Sequence, residues 1–425
     1  MKIALEINDK GFSNIDISNP INGNPGVGGT WYEFALLAYM LKKYCPNYEI
    51  YIYHYNDNKY ITDCAEKIIK NDTDLFEQIV HDKIDLFIFK TNKQIDWYTN
   101  ISKYEVNSIA WTHTFLGFNE RKLIENNEFI KRMVCVGKEH YDLYLDEDVI
   151  NKTTYIYNMV CKTDEDVRRK EYDNNVTYIG SIIPAKSLHV LAKVWKGVLK
   201  EVPTAKLNII GSGKLYERDS VLGEYGIAEK NYEKRFIKYL TDENGEILDS
   251  VNFLGVLGEE KKEVICNSAV GVVNPTTKSE TFCISAVEFE EYGVPVCSGR
   301  KNGLLDTVVH KSTGLLSFSS IGLKRNIVKL LQNKMMNEEY SKNARYHSEK
   351  FLPESIINDW IKCIENINNN ENEVYINPKG NMLYNGKFAR VIFRFLRFNL
   401  GMRSIPSTGS IIHKSKYIYH CIRRR

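Results

Sequence analysis

The sequence predicts an α/β fold in which two domains follow one another along the chain. Its length of 425 residues exceeds what one hydrophobic core usually organises. Strand-like and helix-like segments alternate in two successive runs, and a polar stretch separates the runs. The contents of 43% hydrophobic and 26% charged residues are those of an ordinary globular protein. Each run therefore predicts a mostly parallel sheet wrapped by helices.

The first run, over residues 1–159, predicts one Rossmann-like domain. Short β-branched or aromatic stretches indicate strands, and the apolar spacing of Trp31–Lys43 fits a helix. The predicted strands are Lys2–Glu6, Glu49–Tyr55, Asp85–Phe89, Asn107–Thr112, Met133–Val136 and Thr154–Tyr157.

The polar segment 160–175 predicts a linker, after which a second Rossmann-like run covers residues 176–352. Its predicted strands are Val176–Ile179, Lys206–Ile210, Val251–Leu254, Ala269–Val273 and Val294–Cys297. Its predicted helices are Ser187–Lys200, Glu259–Asn267, Ser285–Tyr292 and Ile321–Gln332, and a further helix is expected at Ser355–Ile367.

Composition and local pattern narrow the class of protein. No run of about 18 apolar residues is present, so no membrane-spanning helix is expected. Met1–Asn8 carries an acidic residue where a signal peptide needs an apolar core, and it fits a first strand better. The nine cysteines lack C-x-x-C pairs and zinc spacing. They predict reduced thiols in the cytoplasm and no metal site.

The strongest chemical signal is a pair of glutamates eight residues apart, Glu280 and Glu288. On a helix they would differ by roughly 80° and about 12 Å, so they can serve separate parts of one elongated ligand. A nucleotide sugar is such a ligand, because its hydroxyls donate to carboxylates and a helix N-terminus favours its diphosphate. The alternative is an exposed helix with ordinary glutamates, which is what we expect of Glu290 and Glu291.

Two glycine loops precede this pair. Gly180 follows a predicted strand and Lys186 opens a predicted helix, an arrangement that can receive phosphate. A solvated lysine in an ordinary connecting loop is an equally good interpretation of that segment alone. Gly211 and Gly213 follow the next strand and allow a nucleotide to approach closely, although structural turns of this kind are common.

Together these segments resemble the retaining GT-B glycosyltransferases of family 4, also described as glycosyl transferases group 1. In that family two glutamates eight residues apart precede a Gly-x-Pro-Val strand, as Glu280 and Glu288 precede Gly293–Val296 here. Gly303–Val309 and Gly314–Leu315 match the helix and Gly-Leu strand that follow. The resemblance covers residues 176–320 well and the first half of the chain more loosely.

The resemblance implies a GT-B architecture, two Rossmann-like domains facing across a cleft. Domain 1–159 would take the acceptor, domain 176–352 the nucleotide sugar, and the helix of 353–369 would pack back toward the first domain. Glu280 would contact the donor sugar as a catalytic residue, and His113 would face the transferred sugar. The remaining donor-binding residues implied by position are Gly28, Gly29, Lys186, Gly211, Gly213, Thr281, Phe282 and Glu288.

The implied activity is transfer of a sugar, with retention, from a nucleoside-diphosphate sugar to a glycan or a polyprenyl-diphosphate-linked oligosaccharide. The family needs no metal and no cofactor beyond the donor. The expected setting is surface polysaccharide synthesis in a bacterium. One departure is Ser181, which stands where the family has an arginine on the diphosphate. Lys214, Arg300 and Lys301 are candidates to compensate for the missing cation.

Ser181 also keeps an alternative open, a catalytically weak GT-B protein that acts as a binding or scaffold partner in glycan assembly. A GT-B sugar epimerase is a third possibility, but we identify no residue set for proton abstraction from the sugar.

The C-terminal segment 374–425 carries eleven Lys and Arg residues and no Asp or Glu. On a helix, Lys387, Arg390, Arg394 and Arg397 share one face, and Phe388, Val391, Ile392 and Phe395 another. This predicts a basic amphipathic tail that associates with an anionic membrane surface, at the inner face of the cell membrane. The alternatives are a helix packed on the body by its aromatic face, and nucleic-acid binding, which no recognisable module supports.

Overall fold

The computed structural model describes residues 1–61, 63–162, 173–213, 221–258 and 260–423. They form two compact units. The first unit comprises Met1–Gly23, Gly29–Asn158 and Ile356–Arg425, and the second comprises Asn24–Gly28 and Met159–Ser355. Most of the predicted linker, residues 163–172, lies outside the described residues.

The first unit is built on a parallel sheet of seven strands within the described residues. The six strands predicted from sequence are present, and β3 was not predicted. The order is β3-β2-β1-β4-β5-β6-β7, so the direction of winding reverses between β1 and β4. The strands are β1 (Lys2–Ile7), β2 (Glu49–His54), β3 (Ala65–Ile68), β4 (Leu86–Lys90), β5 (Ser108–Thr112), β6 (Ile130–Cys135) and β7 (Thr153–Tyr155).

Helices cover this sheet because each places one apolar stripe against the strands. Helix α1 buries Phe34, whose ring centroid lies 4.6 Å from that of Trp111 in β5. Aromatic packing of this kind contributes beyond the area that it buries. The helices between these strands are α1 (Gly29–Tyr44), α2 (Asp72–His81), α3 (Ile95–Lys103), α4 (Phe118–Asn126) and α5 (Lys138–Tyr141).

The second unit holds a parallel sheet of six strands within the described residues, in the order β10-β9-β8-β11-β12-β13. Winding reverses between β8 and β11. The strands are β8 (Asn175–Ile179), β9 (Lys206–Ile210), β10 (Val251–Gly255), β11 (Val270–Val272), β12 (Val296–Gly299) and β13 (Gly314–Ser317). The helices are α6 (Leu188–Glu201), α7 (Lys230–Phe236), α8 (Lys261–Cys266), α9 (Ile284–Glu291), α10 (Leu304–Thr307), α11 (Ser320–Gln332) and α12 (Lys334–Ser348).

The C-terminal segment returns to the first unit. Helix α13 (Pro353–Asn368) brings Trp360 edge-on to Trp111, with ring centroids 4.7 Å apart. Two helices follow, α14 (Lys387–Arg394), which continues into a π-helical turn at Phe395–Asn399, and α15 (Thr408–Arg423). In the part of the chain that the structure describes, no helix combines the length and apolarity needed to span a bilayer.

Helix α14 docks on the first unit through its cations. The Nζ atom of Lys387 lies 2.8 Å from Oε1 of Glu139 and 2.6 Å from Oδ2 of Asp142. All three side chains are at most 3% exposed. Burial disfavours the charged lysine, but its hydrogen bonds to Asp142 and Glu139 outweigh burial and raise the pKa of Lys387.

Two arginines continue this contact along the helix. Arg390 reaches Asp146 at 3.5 Å, and Arg397 reaches Asp148 at 2.6 Å. We expected these cations among lipid headgroups or, with the helix packed on the body by its aromatic face, in solvent. For Lys387, Arg390 and Arg397 both expectations are wrong, because each is paired with a carboxylate of the body. The carboxylates that neutralise them lie more than 240 residues away in the sequence.

Candidate active site

Two loops of the second unit meet where the strand order of its sheet reverses. One follows β8 and contains a 3-10 turn at Pro184–Lys186; the other follows β11 and leads into α9. Because β8 and β11 are adjacent and parallel, their carboxyl ends open at the same edge of the sheet. In open α/β sheets this reversal point is where ligands bind.

Polar side chains join the two loops. Lys186 forms an ion pair and hydrogen bond with Oε1 of Glu280, and the two side chains are 26% and 7% exposed. Next to this pair, the hydroxyls of Ser187 and Thr276 lie 2.5 Å apart. The structure therefore brings together Lys186 and Glu280, which the family resemblance assigns to the diphosphate and the donor sugar.

The loop of Glu280 is held from several sides. The side-chain amide of Asn274 donates to Oε1 of Glu280 at 2.8 Å. The backbone N–H of Gly303 donates to the Glu280 carbonyl at 3.1 Å, and the Asn302 side chain donates to the Thr277 carbonyl at 2.8 Å. Asn274 was not among the predicted site residues, because its contact with Glu280 depends on how the loop folds back.

Glycine is required where the next loop packs against this one. A Cβ atom on Gly303 would lie 2.4 Å from the backbone of Thr281 and Phe282. Thr281 is buried, and the ring of Phe282 packs edge-on to Phe351 with centroids 5.2 Å apart. The side chain of Phe282 is thus part of the core, and any contact of this residue with a donor falls to its backbone.

Four residues other than glycine adopt left-handed backbone conformations in these two loops. Their φ angles are 62° at Ser187, 24° at Asn274, 58° at Thr277 and 84° at Cys283. Such conformations cost free energy, and they persist where the surrounding structure holds them in place. Strain of this kind clusters at ligand sites, which favours a binding function for this edge of the sheet.

Glu288, the second glutamate of the pair, lies on α9 and contacts a different cation. Its Oε1 atom is 2.7 Å from Nζ of Lys261 on α8. Both side chains are only about a quarter exposed, at 22% and 24%. Lys261 was not among the predicted site residues, since nothing in its local sequence distinguishes it from the neighbouring Lys262.

The expectation that Glu290 and Glu291 are ordinary surface glutamates is wrong. Glu290 is fully buried, bonded to the Thr313 hydroxyl and to Nδ1 of His347 at 2.6 Å. Glu291 is 3% exposed and accepts from the Ser348 hydroxyl at 2.8 Å. These bonds tie α9 to α12 and to Thr313, which directly precedes β13, so the two carboxylates fix the helix that carries Glu288.

The predicted glycines of the second unit are required for packing. Gly211 has a φ of +145°, and a Cβ there would lie 2.0 Å from the Gly180 carbonyl oxygen. A Cβ on Gly213 would lie 2.6 Å from the Cα of Ala228. Both positions therefore exclude other residues on structural grounds, whatever ligand approaches the loop.

The first glycine loop is organised by its own asparagine. The side chain of Asn24 accepts hydrogen bonds from the backbone of Gly26 and Val27, each at 2.9 Å. Gly28 follows with a φ of +56°, and no atom lies within 4 Å of where its Cβ would be. Gly29 then begins α1. An open, left-handed glycine before a long helix leaves backbone N–H groups accessible.

His113 directly follows β5 in the first unit. Its ring lies 4.6 Å from Trp111 and 6.0 Å from Phe34, measured between centroids. Burial of the ring, together with the charges of Lys90 and His140, holds the pKa of His113 well below its usual range. The imidazole is therefore neutral at pH 7, which suits a hydrogen-bonding role and not that of a proton donor with positive charge.

The cations considered as substitutes at the diphosphate fall in different places. Ser181 itself is buried. Lys214 lies outside the described residues, and Lys301 is exposed. Arg300 follows β12, half-buried, with its guanidinium 5.8 Å from the Phe318 ring centroid.

Among the residues that the structure describes, no group of three His, Cys, Asp or Glu side chains is placed to hold a metal ion.

The match of this chain to a known protein family lies within the second unit. Residues 162–347 match the sequence model of a family described as Glycosyl transferases group 1. Over 356 residues the chain is 23% identical to a poly(ribitol-phosphate) alpha-N-acetylglucosaminyltransferase of Staphylococcus aureus. That match covers 81% of this chain and 63% of the relative, so the chain spans less than two thirds of the relative's length.

Solved structures resemble the chain in fold. Anabaena Alr3699/HepE, solved in complex with UDP, superposes with a TM-score of 0.63 at 17% identity, covering 86% of this chain and 100% of that one. The lipopolysaccharide outer core galactosyltransferase WaaB, in its apo form, gives 0.58 at 15% identity, with 86% and 100% coverage. The fold is therefore GT-B, and together with the family match it supports a GT-B glycosyltransferase.

Proposed function

We propose that this chain is a retaining glycosyltransferase of the EC 2.4 class. It moves a sugar from a nucleoside-diphosphate sugar to a glycan or lipid-linked oligosaccharide in bacterial surface polysaccharide synthesis. The observation that carries the proposal is the Lys186–Glu280 pair, supported by Asn274, at the reversal point of a GT-B sheet. The match to glycosyl transferases group 1 over this unit agrees with it.

Donor binding would begin with an exchange of ionic partners. Lys186 is paired with the carboxylate of Glu280. A diphosphate carries more negative charge and more acceptor oxygens, so it would draw the Lys186 ammonium toward itself. Lys186 and Asn274 both donate to Oε1 of Glu280, so departure of Lys186 would leave the Asn274 bond in place and return acceptor capacity to that oxygen for the hydroxyls of the donor sugar. The site thus carries little uncompensated charge before the donor arrives.

Glu288 would hold the other end of the donor. Glu288 lies on α9, whereas Glu280 lies in the loop before that helix, and the Glu288 carboxylate is paired with Lys261 at 2.7 Å. Ribose hydroxyls are neutral donors, and a lysine-paired carboxylate can accept from them without losing its counterion. Glu290 and Glu291 anchor the same helix, which keeps this contact in place.

In the proposed reaction, the bond from the anomeric carbon to the diphosphate oxygen breaks while a bond to the acceptor oxygen forms on the same face. The acceptor hydroxyl proton goes to the leaving diphosphate. The protein stabilises the leaving charge through Lys186 and positions the sugar through Glu280. His113 is proposed to face the sugar as a neutral imidazole. No metal ion takes part in this scheme.

The acceptor and the location follow from different observations. The Staphylococcus aureus relative acts, by its name, on poly(ribitol-phosphate), and WaaB is a lipopolysaccharide galactosyltransferase, so both act on surface polymers. The excess of basic residues in 374–425 and the exposed apolar residues of α14 support a peripheral position at the inner face of the cell membrane.

A second candidate function is that of a GT-B binding or scaffold partner with little turnover. Ser181 favours it, because a buried serine offers no charge to the diphosphate. Release of nucleoside diphosphate from a donor sugar separates the two functions: an enzyme releases it slowly even without acceptor, and a scaffold binds the donor without release.

Substitution of Lys186 tests the assigned site. Lys186→Ala and Glu280→Ala should each lower donor turnover at least about 100-fold, because each removes an interaction with the reacting groups. Lys278→Ala is the matched control, since Lys278 is an exposed lysine in the same loop as Glu280. Full turnover by a folded Lys186→Ala variant would remove the diphosphate assignment.

The nucleotide base can be found by ligand-induced stabilisation. A donor that binds the native state raises the unfolding temperature, because the free energy of unfolding increases by RT ln(1 + [L]/Kd). A panel of uridine, guanosine, adenosine and thymidine diphosphate sugars should include one that stabilises the wild type and fails to stabilise Lys186→Ala.

A further inference from the structure

Exposed apolar side chains are concentrated at the C-terminal end of the chain. Half of the large apolar side chains that are exposed among the described residues lie within residues 374–425, about one eighth of the sequence. Scattered exposed apolar residues are normal, whereas a concentration of this kind marks an interaction surface.

Helix α15 belongs to the first unit and is held against the rest of that unit where it begins. The Ser407 hydroxyl caps its first turn by accepting from the Ser410 N–H at 3.2 Å. The Thr408 hydroxyl donates to Asp146 at 2.9 Å, and a Cβ on Gly409 would lie 2.1 Å from Oε1 of Glu147. The helix is therefore tightly packed where it begins. Beyond Ser410 the side chains described are all exposed.

The exposed part of α15 is amphipathic in a specific way. At about 100° per residue, Ile411, Ile412, Ile418 and Tyr419 fall within an arc of roughly 120°. Ser415 falls inside the same arc, and its hydroxyl donates to the Ile411 carbonyl at 2.9 Å. Lys414 and Lys416 fall roughly 40° beyond the two edges of that arc, one on each side. A helix with an apolar face bordered by lysines is suited to an interface, because the long side chains can extend toward headgroups.

Helix α14 adds a second apolar row while its cations face the protein. Phe388, Ile392 and Phe395 are 58%, 43% and 53% exposed. On the opposite side of the helix, Lys387 and Arg390 are buried against carboxylates of the first unit. The ion pairs therefore fix which side of α14 points outward, and that side is apolar.

We propose that the apolar face of α15, together with the exposed row of α14, lies in the interfacial layer of a bilayer that contains anionic lipid. The buried cations of α14 hold the tail on the body, and Lys414 and Lys416 meet the headgroups. The inference rests on the proposed membrane location and assigns the residues that make the contact.

Charge decides between a lipid surface and a second copy of the chain. Pairing α15 with itself would bring the lysines at the edges of its apolar arc close to one another, which costs free energy. The segment 374–425 has no acidic residue to offset this repulsion. An anionic lipid surface complements the same charges.

Vesicle flotation of the full chain tests the assignment. Wild type should float with vesicles of phosphatidylcholine and phosphatidylglycerol, and more weakly with phosphatidylcholine alone. The double variant Ile411→Ser/Ile418→Ser should lose about tenfold or more in vesicle affinity. The matched control is Ile321→Ser/Met335→Ser, which removes exposed apolar residues of the second unit and should bind as wild type.

Reversal of charge tests the role of the lysines. Lys414→Glu/Lys416→Glu should abolish the preference for anionic vesicles. Unchanged flotation of Ile411→Ser/Ile418→Ser would overturn the inference, as would a wild-type dimer that dissociates in this variant. Donor turnover, measured with no vesicles present, should be the same in all these variants. If the wild type showed no donor turnover, that result would count against the proposed reaction, and the membrane assignment would be unaffected.

Discussion

Replacing Lys387 by methionine removes the charge that neutralises two buried carboxylates. Lys387 is 1% exposed, and its partners Glu139 and Asp142 are 3% and 1% exposed. Methionine keeps the length and apolar stem of lysine, so packing changes little. The variant therefore isolates the ionic contact between α14 and the first unit.

The expected cost follows from what each carboxylate retains. Breaking a buried ion pair by removing one partner costs about 3–5 kcal/mol, because a buried charge is left uncompensated. Asp142 keeps its contact with Lys138, and Glu139 keeps a hydrogen bond from Asn381 at 3.0 Å. We therefore expect the lower end, about 3 kcal/mol, which is a large fraction of an ordinary stability of about 5–15 kcal/mol.

Urea unfolding followed by tryptophan fluorescence measures this loss. Four of the five tryptophans belong to the first unit, so the signal reports mainly on its unfolding: Trp31, Trp97, Trp111 and Trp360. Lys379→Met is the control, because Lys379 is an exposed lysine of the same segment. If Lys387→Met lowers the free energy of unfolding by less than about 1 kcal/mol, as the control does, the result would refute the inference that buried ion pairs hold α14 on the body.

Two further predictions concern the Glu280 loop and the pH dependence of stability. Gly303→Ala should displace the Thr281–Phe282 backbone and lower donor turnover by about 100-fold. Gly117→Ala is the control and should keep its turnover, because a Cβ there meets no atom within 4 Å. Equal turnover of the two variants would show that the loop tolerates the displacement. Burial lowers the pKa of His140 to about 3, below its unfolded value of about 6.5, so stability present above pH 6.5 is lost as the pH falls. This group lowers the free energy of unfolding by about 2 kcal/mol between pH 7 and pH 5. Unfolding measured at both pH values should therefore show a smaller decrease in His140→Gln than in the wild type. An equal decrease in the two proteins would contradict the attribution to His140.

The fold could be predicted because most strands are buried on both faces. Such strands contain continuous β-branched or aromatic residues that sequence pattern detects. Strand β3 was missed for the opposite reason: Ala65–Ile68 is an edge strand, and most of its side chains are exposed. With no buried face, its sequence carries no alternation to recognise.

The candidate site could be predicted in part. Glu280 and Lys186 were found because the motif order along the chain places them after adjacent strands. Lys261 and Asn274 were not, because their roles depend on contacts across loops that local sequence does not encode. Glu290 was misjudged because its partners, Thr313 and His347, come from later segments of the chain.

The tail shows how helical periodicity can be correct while its environment is misjudged. The grouping of cations on one face of α14 is present in the structure. The sequence of the tail does not show which residues neutralise these cations. The partners are acidic residues between Glu139 and Asp148, which lie in a distant part of the chain and pack against the tail. The sequence of a helix shows which residues share a face, and only the tertiary structure shows what that face contacts.

Release of nucleoside diphosphate from a panel of donor sugars, with the anomeric configuration of the product read by NMR, tests the central claim most directly. We predict that one donor is turned over with retention, and that Lys186→Ala lowers the rate at least about 100-fold. Absence of release from every donor that binds the protein would contradict the proposed transfer, and an inverted product would contradict the retaining mechanism.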